Sequence, residues 1–249
     1  RFGQNVLGDE KGWFLMLNGE VELAGLPEFV RDAMAAAAVE RGEPGKYAVT
    51  LSRSIIEPFL TFSDRRDLRE QAFRAWTARG ANGGDTDNRA IVEKTLALRA
   101  EKAKLLGYDN FAALKLDNTM AKTADAVNDL LRKVWARAVA RAREEETELA
   151  AVIAGEGKNH EVKPWDWRHY AEKLRAERFN FSEAELKPYL QLEKIIEACF
   201  DVAQRLFGIR AVEKKGVPAY HPDVRVFEIR DAADRLVALF LGDYFARSS

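Results

Sequence analysis

The chain is poor in the residues that build covalent and metal frameworks: its 249 residues include one cysteine and three histidines. A single cysteine excludes an internal disulfide and a zinc site built from cysteines, and it suits a reducing compartment. Neither sign of charge is in excess, since 39 Lys and Arg stand against 40 Asp and Glu for a formal charge of −1. That balance argues against a nucleic-acid binder with a broad basic face and against a polybasic membrane anchor. No apolar run approaches the roughly 18 residues that cross a bilayer, and no signal-peptide pattern is visible. Apolar residues are plentiful at 47%, alongside 32% charged ones, which allows a sizeable core. At roughly 100–200 residues per domain this is one large domain or two small ones. The expectation is a soluble, cytoplasmic protein with neither nucleic acid nor membrane as partner.

The two ends suggest a piece of something longer. The chain opens on Arg1-Phe2-Gly3 with no initiator methionine, and it closes on the apolar run Leu239-Phe240-Leu241 followed within a few residues by Ser249. A strand there needs a neighbour for its backbone groups.

Between the ends, helical periodicity dominates. Asp64 can cap a helix through Leu68, Ala72, Phe73 and Trp76 to Gly80. Asn82-Gly83-Gly84-Asp85-Thr86-Asp87 is a turn-rich loop. Asn88 to Leu106 repeats apolar residues at helical spacing (Ile91, Thr95, Leu98, Leu105) and stops at Gly107 in the manner of a C′ glycine. Thr123 opens the longest helix, with Val127, Leu130, Leu131, Val134 and Ala138 on one stripe; its charged part from Arg141 to Glu148 projects into solvent. Gly155 to Asn159 interrupts the pattern, and Pro164 precedes a helix from Trp165 to about Arg178. Ser182-Glu183-Ala184-Glu185 reads as a capping box. Leu192, Ile195, Ile196, Cys199, Phe200, Ala203 and Leu206 then form the cleanest stripe, which makes Cys199 a core residue rather than a nucleophile. After Gly208 the period changes: Val224 to Ile229 alternates as a strand, Asp231 to Asp234 is a hairpin turn, and Leu236 to Phe245 is the return strand. Trp13–Leu17 and Tyr47–Leu51 form a weaker second pair.

Catalytic signatures are mostly missing. There is no G-x-G-x-x-G, no G-x-x-x-x-G-K-[ST] and no G-x-S-x-G. His160-Glu161-Val162-Lys163-Pro164 begins like the zinc motif H-E-x-x-H, in which two histidines share one helical face with a glutamate between them. Here proline replaces the second histidine; it cannot coordinate and it breaks the helix that the geometry requires. His169 and Glu172 stand at i, i+3, a spacing that charged helices produce by chance, so a histidine bonded to backbone or on a solvated face is the better reading. Trp165 and Trp167 point roughly 200° apart on a helix, so at most one lies deep in a core while the other can line a groove. His221-Pro222 ahead of a strand is a turn.

An ordered set of segments carries a resemblance. It runs Phe2-Gly3-Gln4-Asn5, Leu23-Ala24-Gly25-Leu26-Pro27, Leu68-Arg69-Glu70-Gln71-Ala72-Phe73-Arg74-Ala75, Asn88-Arg89-Ala90-Ile91 and Leu105-Leu106-Gly107-Tyr108. It continues with Asp117-Asn118-Thr119-Met120-Ala121-Lys122-Thr123, Pro164-Trp165-Asp166-Trp167, His221-Pro222-Asp223-Val224-Arg225 and Gly242-Asp243-Tyr244-Phe245-Ala246-Arg247. Over essentially its whole length the chain resembles the thimet oligopeptidase family of zinc metallopeptidases, most of all its bacterial peptidyl-dipeptidase branch.

The resemblance implies a mainly α fold: the multi-helix half of a channel-type, neurolysin-like metallopeptidase, with a small β-sheet element near the C-terminal end. It implies an N-terminal helical region over 1–62 with a possible small β pair, and over 63–249 the N-terminal part of the peptidase domain, truncated before the zinc motif. Members hydrolyse short peptides, and the peptidyl-dipeptidase branch releases C-terminal dipeptides. Their zinc is held by the histidines of H-E-x-x-H and a later glutamate, and it lowers the pKa of its bound water toward ~7. That helix is expected downstream of Gly242–Arg247, so no catalytic or metal-binding residue is assigned here. Zinc is expected in the full-length parent and none in this piece. Trp165, Asp166, Tyr170, Asp243 and Tyr244 are the candidates for positions along the substrate channel. The alternative reading is a non-catalytic helical module that binds peptides or serves as a scaffold.

Overall fold

The structure is a computed structural model that describes residues 1–180 and 183–245. Its order is α1 (Phe2–Gly12), β1 (Phe14–Leu17), α2 (Glu28–Val39), β2 (Tyr47–Thr50), α3 (Arg53–Phe62), α4 (Arg66–Thr77), α5 (Arg89–Leu105), α6 (Phe111–Leu116), α7 (Ala124–Gly155), α8 (Pro164–Phe179), α9 (Glu183–Leu186), α10 (Leu192–Phe207), β3 (Arg210–Lys214), β4 (Arg225–Arg230) and β5 (Leu236–Gly242). The fold is mainly α, with small antiparallel sheets. The chain divides into two compact units, Arg1–Phe179 and Asn180–Ser249.

In the first unit the core gathers the apolar faces of α2, α3 and α4 around the β1–β2 pair. Val30 and Met34 of α2, Ile56, Phe59 and Leu60 of α3, and Ala72 of α4 close over Leu17, Ala48 and Val49. The weaker pair expected near the start is present as β1–β2, antiparallel, with the register Phe14↔Thr50 to Leu17↔Tyr47. Burying a side chain the size of Phe59 contributes about 1.5–3 kcal/mol, so this cluster dominates the unit's stability. Gly25 lets the chain turn onto it with φ +82; a Cβ there would stand 2.8 Å from the Asp64 carboxyl carbon.

The helix signals are mostly met. Gly107 takes φ +82 after α5, while the amides of Gly107 and Tyr108 donate to the carbonyls of Lys104 and Ala103 in a Schellman closure. Thr123 caps α7 by accepting from the Ala126 amide at 3.2 Å. The 82–87 loop is a turn held by Asp9, whose carboxylate accepts from the Gly80 amide (2.7 Å), Asn82 (2.9 Å) and Thr86 (2.5 Å). One cap is not where the sequence put it. The helix after Asp64 begins two residues later with Arg65 as N-cap, and Asp64 instead gives its amide to the Ala24 carbonyl. The Ser182 capping box lies outside the described residues.

Periodicity misled where it implied burial. Leu130, Leu131 and Val134 of α7, and Leu98 and Leu105 of α5, are exposed. The charged stretch from Arg141 to Glu148 faces water as expected. Cys199 is exposed rather than in the core, because Phe200 beside it takes the contact of α10 with the sheet, 4.9 Å from Phe227 and 6.0 Å from Phe240.

That sheet has the order β3-β4-β5, all antiparallel. The β4–β5 hairpin turns at Asp231 to Asp234 as predicted; the Asp231 carboxylate accepts from the amides of Ala233 and Arg235, both at 2.9 Å. β3 was not expected: Arg210-Ala211-Val212-Glu213-Lys214 carries too much charge to read as a strand. β5 is an outer strand of sequence LVALFLG, exposed at every position but the last. It has none of the charges or prolines that blunt an edge. The chain is therefore expected to self-associate, with a light-scattering mass that rises with concentration and falls back in Leu239→Lys. A concentration-independent monomer mass would contradict this.

Candidate functional site

Three of the five channel candidates share the first two turns of α8. Pro164 starts the helix, where its missing N–H costs nothing. Asp166 takes the Lys163 amide on its carboxylate at 3.2 Å and gives its own amide to the Lys163 carbonyl at 2.8 Å. The same carboxylate is fully buried and receives two arginines of α4. Arg66 donates through Nε (3.1 Å to each oxygen) and Nη2 (2.9 Å), and Arg69 through Nη2 (2.9 Å). The Arg69 side chain is only 1% exposed. Its other nitrogens donate to the carbonyls of Ser63 (2.6 Å) and Trp165 (3.1 Å). Burial alone would raise the Asp166 pKa, but the hydrogen bonds from Arg66 and Arg69 outweigh it and hold the group below the usual carboxylate range.

Trp165 is half-buried on α4, 6.3 Å from Phe73, with the guanidinium groups of Arg66 and Arg74 at 5.6 and 4.9 Å from its ring. Its Nε1 is buried without a hydrogen-bond partner. Trp167, also half-buried, packs on the α7–α8 cluster of Leu149, Ile153 and Tyr170. It lines a groove of about 300 Å³ together with Leu174, Arg178 and Phe179. Neither tryptophan sits deep in a core, and Trp167 lines the groove.

Tyr170 is fully buried, edge-on to His169 at 5.0 Å. The ammonium groups of Lys158 and Lys173 stand 5.8 and 5.4 Å from its ring. Glu156 joins the two lysines at 2.7 and 2.6 Å; burial pushes its pKa up, the lysine hydrogen bonds pull it further down, and it settles at about 2. His169 is bonded to backbone, one of the two readings its sequence context allowed. Its Nδ1 lies 3.0 Å from the Thr61 carbonyl, which can only accept, so Nδ1 carries the hydrogen. Burial first, then the charges of Arg69 and Lys173, lower its pKa to about 4.

In the second unit Asp243 accepts from the Tyr220 hydroxyl at 2.8 Å. The half-buried Tyr244 lays its ring over Gly242, where a Cβ would come within 2.6 Å of ring carbons. Burial is the main cause of the raised Tyr244 pKa. Thus α8 brings Trp165, Asp166 and Tyr170 together, while Asp243 and Tyr244 belong to the C-terminal unit.

Comparison with known proteins identifies this framework. The family model described as peptidase family M3 matches residues 59–249. The chain belongs to peptidase family M3. It is 39% identical over 250 residues to dipeptidyl carboxypeptidase of Escherichia coli, covering 100% of this chain and 37% of that relative. It is 36% identical over 253 residues to oligopeptidase A of the same organism, again covering 100% and 37%. Saccharolysin of Saccharomyces cerevisiae is 27% identical over 251 residues. The chain thus spans a little over a third of the length of the relatives it matches.

Within this M3 chain, no three His, Cys, Asp or Glu side chains among the described residues are placed to share a metal ion. His160 lies in the irregular stretch ahead of α8, with Nδ1 3.1 Å from the Glu161 carbonyl and 3.9 Å from Asp166, and with Nε2 buried and unpartnered. His221 sits in a turn, its carbonyl accepting from the Val224 amide at 3.1 Å. The described residues do not fit the zinc that the family resemblance implies. Among the described residues, no helix is long and apolar enough to cross a membrane.

Sequence reasoning missed Arg66 and Arg69. The signal was available for Arg69: a charged residue on the face that also carries Ala72, Phe73 and Trp76 must find a partner inside.

Two outcomes follow from the geometry. Asp166→Ala leaves Arg69 buried without its counter-ion and is expected to cost about 3–5 kcal/mol in urea unfolding, while Glu161→Ala stays within about 0.5 kcal/mol. A loss under about 1 kcal/mol for Asp166→Ala would contradict the ion-pair reading. His169 is held neutral in the fold, whereas the unfolded chain protonates it below its ordinary 6.5. The unfolded state therefore binds more protons between pH 6.5 and about 4, and stability falls as pH falls through that window. His169→Asn, which keeps a donor for Thr61 but cannot titrate, should remove on the order of 3 kcal/mol of that fall. Parallel stability–pH curves would contradict it.

Proposed function

We propose that this chain is part of a zinc-dependent peptidyl-dipeptidase or oligopeptidase that hydrolyses short peptides in the cytoplasm, in the former case by releasing C-terminal dipeptides. The observation that carries the reading is the match along the whole chain to a dipeptidyl carboxypeptidase and an oligopeptidase A at 39% and 36% identity. The zinc ligands and the general base belong to the longer protein in this reading, since the residues described here offer no cluster for a metal. Neither nucleic acid nor a membrane is a partner in this reading, in line with the near-neutral charge of −1.

The five channel candidates take different roles in the proposal. Trp165 and Tyr244 are half-buried and Asp243 is exposed, so these can present atoms to a peptide. Asp166 and Tyr170 are fully buried, so they act by holding α8 and the Trp165 ring in place. Two polypeptides test the reading: this 249-residue chain, and one of the relatives' length that contains it. The long form is expected to release dipeptides from N-blocked peptides, to lose activity to a chelator and to regain it with zinc. The 249-residue chain is expected to bind no stoichiometric zinc and to cleave nothing. Chelator-sensitive dipeptide release by the short chain would overturn the assignment of the ligands to the rest of the protein. An inactive, zinc-free long form would favour the scaffold or peptide-binding alternative.

A further inference from the structure

No further inference is drawn: the strongest candidate, the uncovered apolar patch of Val237, Leu239 and Leu241 on the outer strand of the C-terminal sheet, has nothing in the structure to show what covers it.

Discussion

A carboxylate with no access to water organises the N-terminal unit. Taking Asp166 and Arg69 out of solvent costs several kcal/mol per ion, a cost met only when geometry and hydrogen bonding are nearly complete. Here they are. Asp166 accepts from Arg66, Arg69 and the Lys163 amide, while Arg69 spends its remaining donors on the carbonyls of Ser63 and Trp165. Those partners come from three pieces of chain: α4, the turn between α3 and α4, and the start of α8 with the residue before it. Any slip of α8 along α4 would strand a buried charge, so the ion pairs tie the position of α8 to that of α4. Around them, Trp165 has the guanidinium groups of Arg66 and Arg74 against its ring, and His169 ties the next turn of α8 to the end of α3 through the Thr61 carbonyl.

This arrangement explains how a chain with so little visible chemistry can belong to a peptidase family. The residues that first look catalytic are consumed by structure. His169 is neutral and backbone-bonded, His160 lies ahead of a helix that a proline begins, and His221 sits in a turn. The matched region opens inside α3 and runs through the ion-pair knot to the C-terminal sheet. In the reading proposed above, these residues place the helices, and Trp165, Asp243 and Tyr244 are the candidates that keep accessible atoms.

The legible parts of the sequence were the local ones. Gly107, Thr123, Pro164 and the Asp231 turn each act through groups within a few residues, so their conformations could be read from their own neighbourhoods. The family resemblance was legible for the same reason, since it rests on short ordered segments. Non-local facts were not. The arginine partners of Asp166 are 97 and 100 residues away on another helix, and nothing in the Pro164–Tyr170 run names them. A helical stripe shows that a face is apolar but not what lies against it: Leu131 and Leu98 stand on such stripes yet are exposed, and Cys199, expected in the core, is exposed too. β3 escaped because charged residues on a two-sided exposed strand give no alternation to detect.

Native-state hydrogen exchange along α8 tests the central claim most directly. If the Asp166 knot holds α8 in place, the amides of Tyr170 to Leu174 should exchange in the unaltered chain only with the opening that also exposes Phe59 and Leu60 of α3. In Asp166→Asn those α8 amides should exchange by a separate, easier opening while the α3 amides keep their protection. Equal protection of α8 in the two proteins would contradict the claim.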